Sequence, residues 1–381
     1  MLKDQIKAWA HEPTPFYLYD MGLLRRTLES ARKASAQYNF QVHYALKANS
    51  NKEILKLINE HGFGADCVSG NEIKRALKNG FRPDHIVFAG VGKSDAEINY
   101  ALTNDIFCFN CESSQEIEVI NELAGKQSRI ARIALRINPN VDADTHKHIT
   151  TGLDENKFGI NMWELESVLA LLQTQQNIQL VGIHFHIGSQ ITKMNVFRNL
   201  CQKVNEIQDW LADRGIAVPH LNVGGGLGVD YYHPDENPMP DFEAYFSIFH
   251  QHLQLRPGQQ VHFELGRALV AQCGTLVSKV LYIKKGQSRN FAILDAGMTE
   301  LLRPMLYQAY HKIENLSSSL PEVKYDVVGP ICESTDCFAQ DVMLPETQRN
   351  DLVALRTSGA YAEVMASEYN LRDKAKAVYM G

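Results

Sequence analysis

What most constrains this chain is a succession of about eight short apolar runs, over 42–46, 65–68, 85–89, 106–109, 130–137, 180–187, 220–223 and 261–265, separated by helical patterns. Apolar runs of that length bounded by polar segments read as buried strands, and strands alternating with helices build βαβ units. Eight in unbroken succession is the number that closes a parallel barrel. The helix starts are marked too. Ser50 with Glu53, Ser69 with Glu72, Ser94 with Glu97 and Ser113 with Glu116 each fit a capping box, in which a hydroxyl satisfies one orphan amide and a carboxylate another. A doubly wound nucleotide fold is the competing architecture, and the uninterrupted run of strands favours closure.

After Arg267 the pattern changes. Segments 275–283, 290–294, 325–328 and 352–355 read as strands with few long helices between them, so a second, mainly β domain follows. The strand-like piece at 16–20 is assigned to it. The expected architecture is a (β/α)8 TIM-type barrel over 20–265, with a β domain built from 1–19 plus 266–381. A chain of 381 residues exceeds one ordinary domain, and a barrel of about 250 residues leaves room for one smaller partner.

Composition closes off several function classes. With 45% hydrophobic and 22% charged residues and a net charge of −6, the chain has no basic surface for nucleic acid. No apolar run approaches the ~20 residues that span a bilayer, and the polar segment 1–12 lacks a signal-peptide core, so no membrane role and a cytoplasmic location are expected. The seven cysteines are scattered from Cys67 to Cys337, which suits reduced thiols. Cys108 and Cys111 spell CxxC, but strand residues three apart face opposite sides. His146-Lys147-His148 has no evident third ligand, so no metal is expected.

The chemistry gathers at the ends of the apolar runs, where α/β barrels place it. Lys47 follows His43-Tyr44-Ala45-Leu46, and a lysine at such a tip, in low-dielectric surroundings, is neutral enough to condense with an aldehyde. His184-Phe185-His186-Ile187-Gly188-Ser189-Gln190, Gly224-Gly225-Gly226-Leu227-Gly228 and Glu264-Leu265-Gly266-Arg267 end similar runs. A glycine run after a strand lets backbone amides approach a dianionic group, and its spacing here departs from the dinucleotide fingerprint.

Taken in order, these motifs, with Arg303-Pro304-Met305-Leu306-Tyr307, Cys332-Glu333-Ser334 and Gly359-Ala360-Tyr361, resemble the pyridoxal-phosphate decarboxylases of the alanine-racemase-like fold, most closely the diaminopimelate decarboxylases. The resemblance runs from Tyr17 to Arg372. It implies pyridoxal 5'-phosphate as cofactor, with Lys47 as the Schiff-base lysine, kept only partly protonated by burial. Ser189, Gly224, Gly225, Gly226 and Tyr361 are then donors to the phosphate. His186 lies against the ring with His184 behind it, and Asp66 and Arg136 stand at the ring edge. Glu264 faces the pyridine nitrogen, and a pyridinium drains electrons from the carbanion left when carbon dioxide departs. Leu265 stands where the family usually has proline.

The same resemblance implies a small amino-acid substrate. Arg303 and Tyr307 bind its far carboxylate, with Arg267 and Tyr361 contacting cofactor or substrate, because a guanidinium fork suits a carboxylate bidentately. Cys332 is expected to support protonation of the α-carbon and Glu333 to bind the distal ammonium. Both enter from the neighbouring subunit in the family, which implies a homodimer with shared active sites, and Lys157 with Asp336 matches a pair that bridges subunits. The implied reaction takes meso-2,6-diaminopimelate to L-lysine and carbon dioxide. The rivals are a decarboxylase of this fold acting on ornithine, arginine, lysine or a carboxylated polyamine, a catalytically silent regulator, and a barrel-only cofactor carrier. Arg303 opposes the first, because a diamine-producing enzyme needs an acid there. Lys47 and the glycine loop oppose the second, and the extra β domain opposes the third.

Overall fold

A computed structural model describes residues 8–9, 11–141 and 157–381; His146, Lys147 and His148 lie outside them. β1 (Phe16–Asp20) is followed by the helix Met21–Ala36. Then come β2 (Gln41–Ala45), β3 (Gly64–Cys67), β4 (Ile86–Phe88), β5 (Cys108–Cys111), β6 (Ala131–Arg136), β7 (Ile178–His184), β8 (His220–Asn222) and β9 (Gln260–Leu265). Each pairs in parallel with the next, and β2 pairs with β9 at Gln41↔His262 through Tyr44↔Leu265, which closes the barrel. The remaining strands, β10 (Gly274–Lys285), β11 (Asn290–Leu294), β12 (Ile313–Asn315), β13 (Glu322–Val328), β14 (Cys337–Pro345), β15 (Leu352–Leu355) and β16 (Lys376–Met380), form a second sheet in the order β12-β15-β10-β11-β13-β14. Within that sheet β1 pairs with both β10 and β16. A barrel and a mainly β domain are thus the fold class that the sequence leads one to expect.

The chain divides into two compact units. One is the barrel, Thr27–Gly228 with Asp241–Gly266; the other runs up to Arg26 and continues in Val229–Pro240 and Arg267–Gly381. The stretch between β8 and β9 therefore contributes to the β unit, an excursion that the apolar pattern does not mark.

Helix caps explain the starts of the barrel helices. Glu97 accepts from the Ser94 amide at 3.0 Å and the Ser94 hydroxyl at 2.7 Å, ahead of the helix Asp95–Thr103. Ser69 and Ser113 cap as expected, but the carboxylates of Glu72 and Glu116 reach one residue further back, to the amides of Val68 and Glu112, both at 2.7 Å. The helix expected from Ser50 begins instead at Lys52, because Asn51 Oδ1 accepts from the Glu53 amide at 3.0 Å. Such a cap stabilises by roughly 0.5–2 kcal/mol, whichever residue supplies it.

Alternation along the barrel strands separates two environments. Phe263 of β9 faces the helix Phe242–His252, packing on Tyr245, Phe246 and Phe249 with ring centroids 4.9–5.7 Å away. Its truncation to alanine is worth about 3–5 kcal/mol. Its strand neighbours His262 and Glu264 face the other way, into a lumen that holds a row of polar groups beside the apolar cluster Val87, Cys108, Ala134 and Val181. His262 Nδ1 lies 3.0 Å from His43 Nε2, and His262 Nε2 lies 3.0 Å from His220 Nδ1. His43 Nδ1 is 3.1 Å from the His85 carbonyl. A carbonyl only accepts, so His43 carries its proton on Nδ1 and presents a bare Nε2. His262 then donates through Nδ1 and accepts through Nε2, and His220 donates through Nδ1. One backbone oxygen thus fixes three tautomers. Burial holds all three imidazoles below their ordinary range, His43 at about 4.

Candidate active site

At the C-terminal end of the barrel, β2 runs directly into a single 3-10 turn, Leu46–Ala48, that carries Lys47 between two buried neighbours. The side chain itself is exposed. The burial expected to lower its charge is therefore not supplied by this chain, although that charge still acts on Asp66, His186 and Glu264.

Glu264, 6% exposed near the end of β9, is the most constrained group of the site. Its Oε1 accepts from Asn222 Nδ2 at 2.7 Å and Asn110 Nδ2 at 3.0 Å, and its Oε2 accepts from His184 Nε2 at 2.9 Å. Burial alone would raise its pKa. The hydrogen bond from His184 and the positive groups around the carboxyl, Lys47 among them, together outweigh that, and it is held well below the usual range. Asp66 on β3, 2% exposed, has the opposite fate. Burial pushes it up, the Glu264 charge pushes it further, and Lys47 offsets only part. Its Oδ1 is buried without a hydrogen-bond partner among the described residues. Two buried carboxyls whose environments drive them apart mark a site built to hold protons at chosen atoms.

The remaining barrel residues converge on the same end. Half-buried His186, just beyond β7, is held well below its ordinary range by desolvation and by the charges of Lys47 and Arg136. Its Nδ1 faces the Gly225 amide at a long 3.5 Å. Arg136 ends β6 and donates to Glu112 at 2.7 Å, while Glu112 also accepts from the amides of Gly90 at 3.2 Å and Gly159 at 2.8 Å. The glycine run is dictated by close approach. A Cβ at Gly225 would lie 2.0 Å from the Glu264 carbonyl oxygen, and one at Gly224, where φ is +69°, would lie 2.2 Å from that of Phe185. Ser189 is half-buried on the loop whose Ile191 amide donates to the Gly226 carbonyl at 2.8 Å, so the two loops form one cradle. Leu265, buried at 1%, is followed by the short helix Arg267–Val270, and the turn forms without proline.

The β unit assembles a second cluster. Arg267 and Arg303, 6% and 7% exposed, both donate to the Tyr231 hydroxyl, at 2.6 and 3.0 Å. Arg267 also lies 4.9 Å from the centre of the Tyr361 ring, and Tyr307 sits one turn beyond Arg303 on the short helix Arg303–Tyr307. Cys332 and Glu333 are not part of this cluster. They occupy an exposed loop, where the Cys332 amide donates to Asn370 at 3.2 Å and Glu333 accepts from the Tyr369 hydroxyl. Asp336, expected to pair with Lys157 across subunits, is 2% exposed and accepts from the amides of Met298 and Ile331, both at 2.7 Å, so its carboxylate ties two loops of its own chain together. Cys108 and Cys111 are buried with thiols pushed up by desolvation, and no group of potential metal ligands occurs among the described residues. No described helix is long and apolar enough to cross a membrane.

Asn110, Asn222, Glu112, Tyr231 and His311 were not singled out from the sequence. Asn110 and Asn222 had a signal, being polar at lumen-facing positions of otherwise apolar strands, in the same alternation as Glu264. The others lie in no recognisable pattern.

The barrel end presents an amine, a glycine cradle that a single Cβ would fill, and an ionised buried carboxylate, the donor and acceptor set that pyridoxal 5'-phosphate requires. The model for the pyridoxal binding domain of pyridoxal-dependent decarboxylases matches residues 21–271. The chain belongs to the pyridoxal-dependent decarboxylases. Within this family it is similar to the diaminopimelate decarboxylase of Bacteroides thetaiotaomicron, 57% identical over 364 residues that cover 95% of this chain and 94% of the relative. A Helicobacter pylori relative of the same name is 43% identical over 95% of this chain and 89% of its own length. The crystal structure of diaminopimelate decarboxylase from H. pylori complexed with L-lysine superposes with a TM-score of 0.93 at 40% identity, covering 99% of this chain and 94% of that one. A lysine/ornithine decarboxylase from Vibrio vulnificus, at 22% identity and a TM-score of 0.86 over 99% and 98%, shares the fold. Pyridoxal-dependent decarboxylases are lyases, and pyridoxal 5'-phosphate is the cofactor of this one.

Proposed function

We infer that the protein removes carbon dioxide from meso-2,6-diaminopimelate to give L-lysine. Relatives of that name match along nearly the whole chain, and the observation that carries the reaction type is Glu264, a buried carboxylate that three donors keep ionised. Such a group holds a heterocyclic nitrogen protonated at neutral pH. When bound, the cofactor supplies the electron sink for the carbanion left by the departing carboxylate.

The chain's own residues divide the remaining tasks. Lys47 would anchor the cofactor through its amine, and its exposure at the barrel mouth keeps that position accessible to the substrate. Gly224, Gly225, Gly226, Ser189 and Tyr361 hold the phosphate, and His186 backs the ring. Arg136, tied by Glu112, and Asp66 line its edge. Asp66, pushed up by burial, is suited to donate a hydrogen bond rather than to add a second negative charge. Arg303, Tyr307 and Arg267 bind the carboxylate that stays, which decides the one that leaves, because only contacts held in the transition state select the reaction. Cys332 returns a proton to the α-carbon, and Glu333 takes the distal ammonium.

The exposed position of Cys332 and Glu333 supports a homodimer in which each loop completes the partner's site. A cytoplasmic location is supported by seven free cysteines, five of them buried.

The test offers the cofactor-loaded protein meso-diaminopimelate, ornithine, arginine and lysine in separate reactions and measures carbon dioxide. Release from diaminopimelate alone is expected. Release from ornithine but not diaminopimelate would overturn the substrate, and release from none would point to the silent regulator.

A further inference from the structure

We propose that Tyr231 is a positioning residue that sets substrate specificity: its single hydroxyl oxygen spaces the guanidinium groups of Arg267 and Arg303 and leaves its own proton as a third donor for a substrate carboxylate. The proposal rests on the decarboxylase reading above and concerns how the retained carboxylate is recognised.

Hydrogen-bond capacity decides the arrangement. A phenol has two acceptor sites and one donor, and a guanidinium has donors only. Arg267 Nη1 at 2.6 Å and Arg303 Nη1 at 3.0 Å therefore fill both acceptor sites of Tyr231 Oη. What remains is the O–H proton, and no acceptor among the described residues takes it. Tyr231 is 6% exposed, so bulk water does not supply one freely. A buried donor left over in this way needs an acceptor from a ligand.

The other partner of Arg303 points the same way. His311 Nδ1 lies 2.8 Å from the Arg356 carbonyl, which only accepts, so the proton sits on Nδ1 and Nε2 is bare. That bare nitrogen accepts from Arg303 Nη1 at 2.8 Å. Burial and the Arg303 charge hold His311 at about 3, so it stays neutral through the physiological range. The nearby acids are committed elsewhere. Asp235 and Glu314 both pair with Arg356, at 2.7 Å each. Asp235 also ties down the stretch Val229–Pro240 that carries Tyr231, so the same ion pairs fix the phenol and the carbonyl that sets the His311 tautomer. Arg303 is thus oriented by a phenol and an imidazole, neither of which neutralises it. Two cations bound to one uncharged oxygen repel each other until an anion arrives, and a planar carboxylate offers the two oxygens that Arg303 and the Tyr231 proton can share. A diamine brings an ammonium to the same place and is refused.

The experiment uses the cofactor-loaded protein and three variants. Tyr231→Phe removes the oxygen and keeps the ring. It is expected to raise KM for meso-diaminopimelate about 10- to 100-fold, the usual loss for a hydrogen bond to a charged group, with kcat within about 3-fold. Inhibition by pimelate, the same seven-carbon diacid without its amines, should weaken by the same factor, while pentane-1,5-diamine, refused by the site, should inhibit neither protein appreciably. His311→Gln keeps an acceptor for Arg303 and should leave KM within about 3-fold; His311→Leu removes it and should raise KM about 10-fold. An unchanged KM and unchanged pimelate inhibition in Tyr231→Phe would overturn the proposal, as would equal effects of Gln and Leu at position 311. Should Tyr231→Phe fail to fold, the position 311 pair decides alone. Wild-type protein inactive on diaminopimelate would instead refute the underlying reading, so the two failures are distinct.

Discussion

Asn222→Asp probes whether amide donors are what keep Glu264 ionised. The substitution conserves volume and leaves an oxygen to accept from the Gly224 amide at 3.0 Å, but it replaces the donor 2.7 Å from Glu264 Oε1 with a second carboxylate oxygen. Two carboxylates at that distance do not both stay charged, so the folded variant takes up a proton. Glu264 still has Asn110 and His184, and the proton goes to the new carboxylate at position 222. An unfolded aspartate titrates near about 3.9, so at pH 7 this uptake runs against roughly 3 pH units at about 1.4 kcal/mol each, or about 4 kcal/mol. The sign follows from the raised folded pKa: the penalty is absent below the unfolded pKa and grows as pH rises, until the introduced carboxyl ionises in the fold. Denaturation of purified wild-type and variant protein at pH 5, 6 and 7 should therefore show a stability gap of about 1.5 kcal/mol at pH 5 widening to about 4 kcal/mol at pH 7. For a unit of this size the Tm gap grows by about 3–5 °C per pH unit. A gap that is the same at pH 5 and pH 7 would show that Asn222 merely packs, and the electrostatic account of Glu264 would fall.

Lys47→Ala should abolish both carbon dioxide release and the visible absorbance of bound cofactor; retention of either removes the anchor role. Gly225→Ala places a methyl 2.0 Å from a backbone oxygen, a clash no rotamer relieves, and cofactor affinity measured by equilibrium dialysis should drop at least about 10-fold; unchanged affinity would separate the cradle from cofactor binding. His43, depressed from 6.5 to about 4, contributes stability that is present above pH 6.5 and is lost as pH falls toward 4, about 3 kcal/mol in all. His43→Gln should start less stable at pH 7.5 yet lose less on acidification, and parallel stability curves for the two proteins would refute the buried-imidazole account.

The barrel was legible because its strands are short, largely apolar runs and the helices after β2, β3, β4 and β5 begin with Asn or Ser caps. The Ser50 start misplaced one boundary, since Asn49, Ser50 and Asn51 can all cap, and only the backbone path shows that Asn51 reaches the Glu53 amide. Lys47 and Glu264 were legible as charged residues closing apolar runs. Asn110 and Asn222 showed only as polar residues within apolar strands, because what gives them meaning is a barrel register that joins Asn110 to a carboxylate 154 residues away. Strands β12, β14 and β16 escaped for a different reason: β14 and β16 are largely or partly exposed and carry no sustained apolar period, and β12 is three residues long. Tyr231 and His311 belong to no motif. Their role comes from lone pairs counted in three dimensions, which a linear pattern does not encode.

The position of β1 sets a timetable for synthesis. Its Phe16 aligns with Val277 of β10 on one side and Lys376 of β16 on the other, and Phe16 through Tyr19 end up at most 2% exposed. At roughly 5–20 residues per second, a ribosome takes about 20–70 s to deliver the second of those neighbours after the first strand has emerged. Both edges of this apolar ribbon stay open until β10 emerges and one stays open until β16 follows, which makes it a natural client for a holding chaperone and the segment most exposed to mispairing between nascent copies.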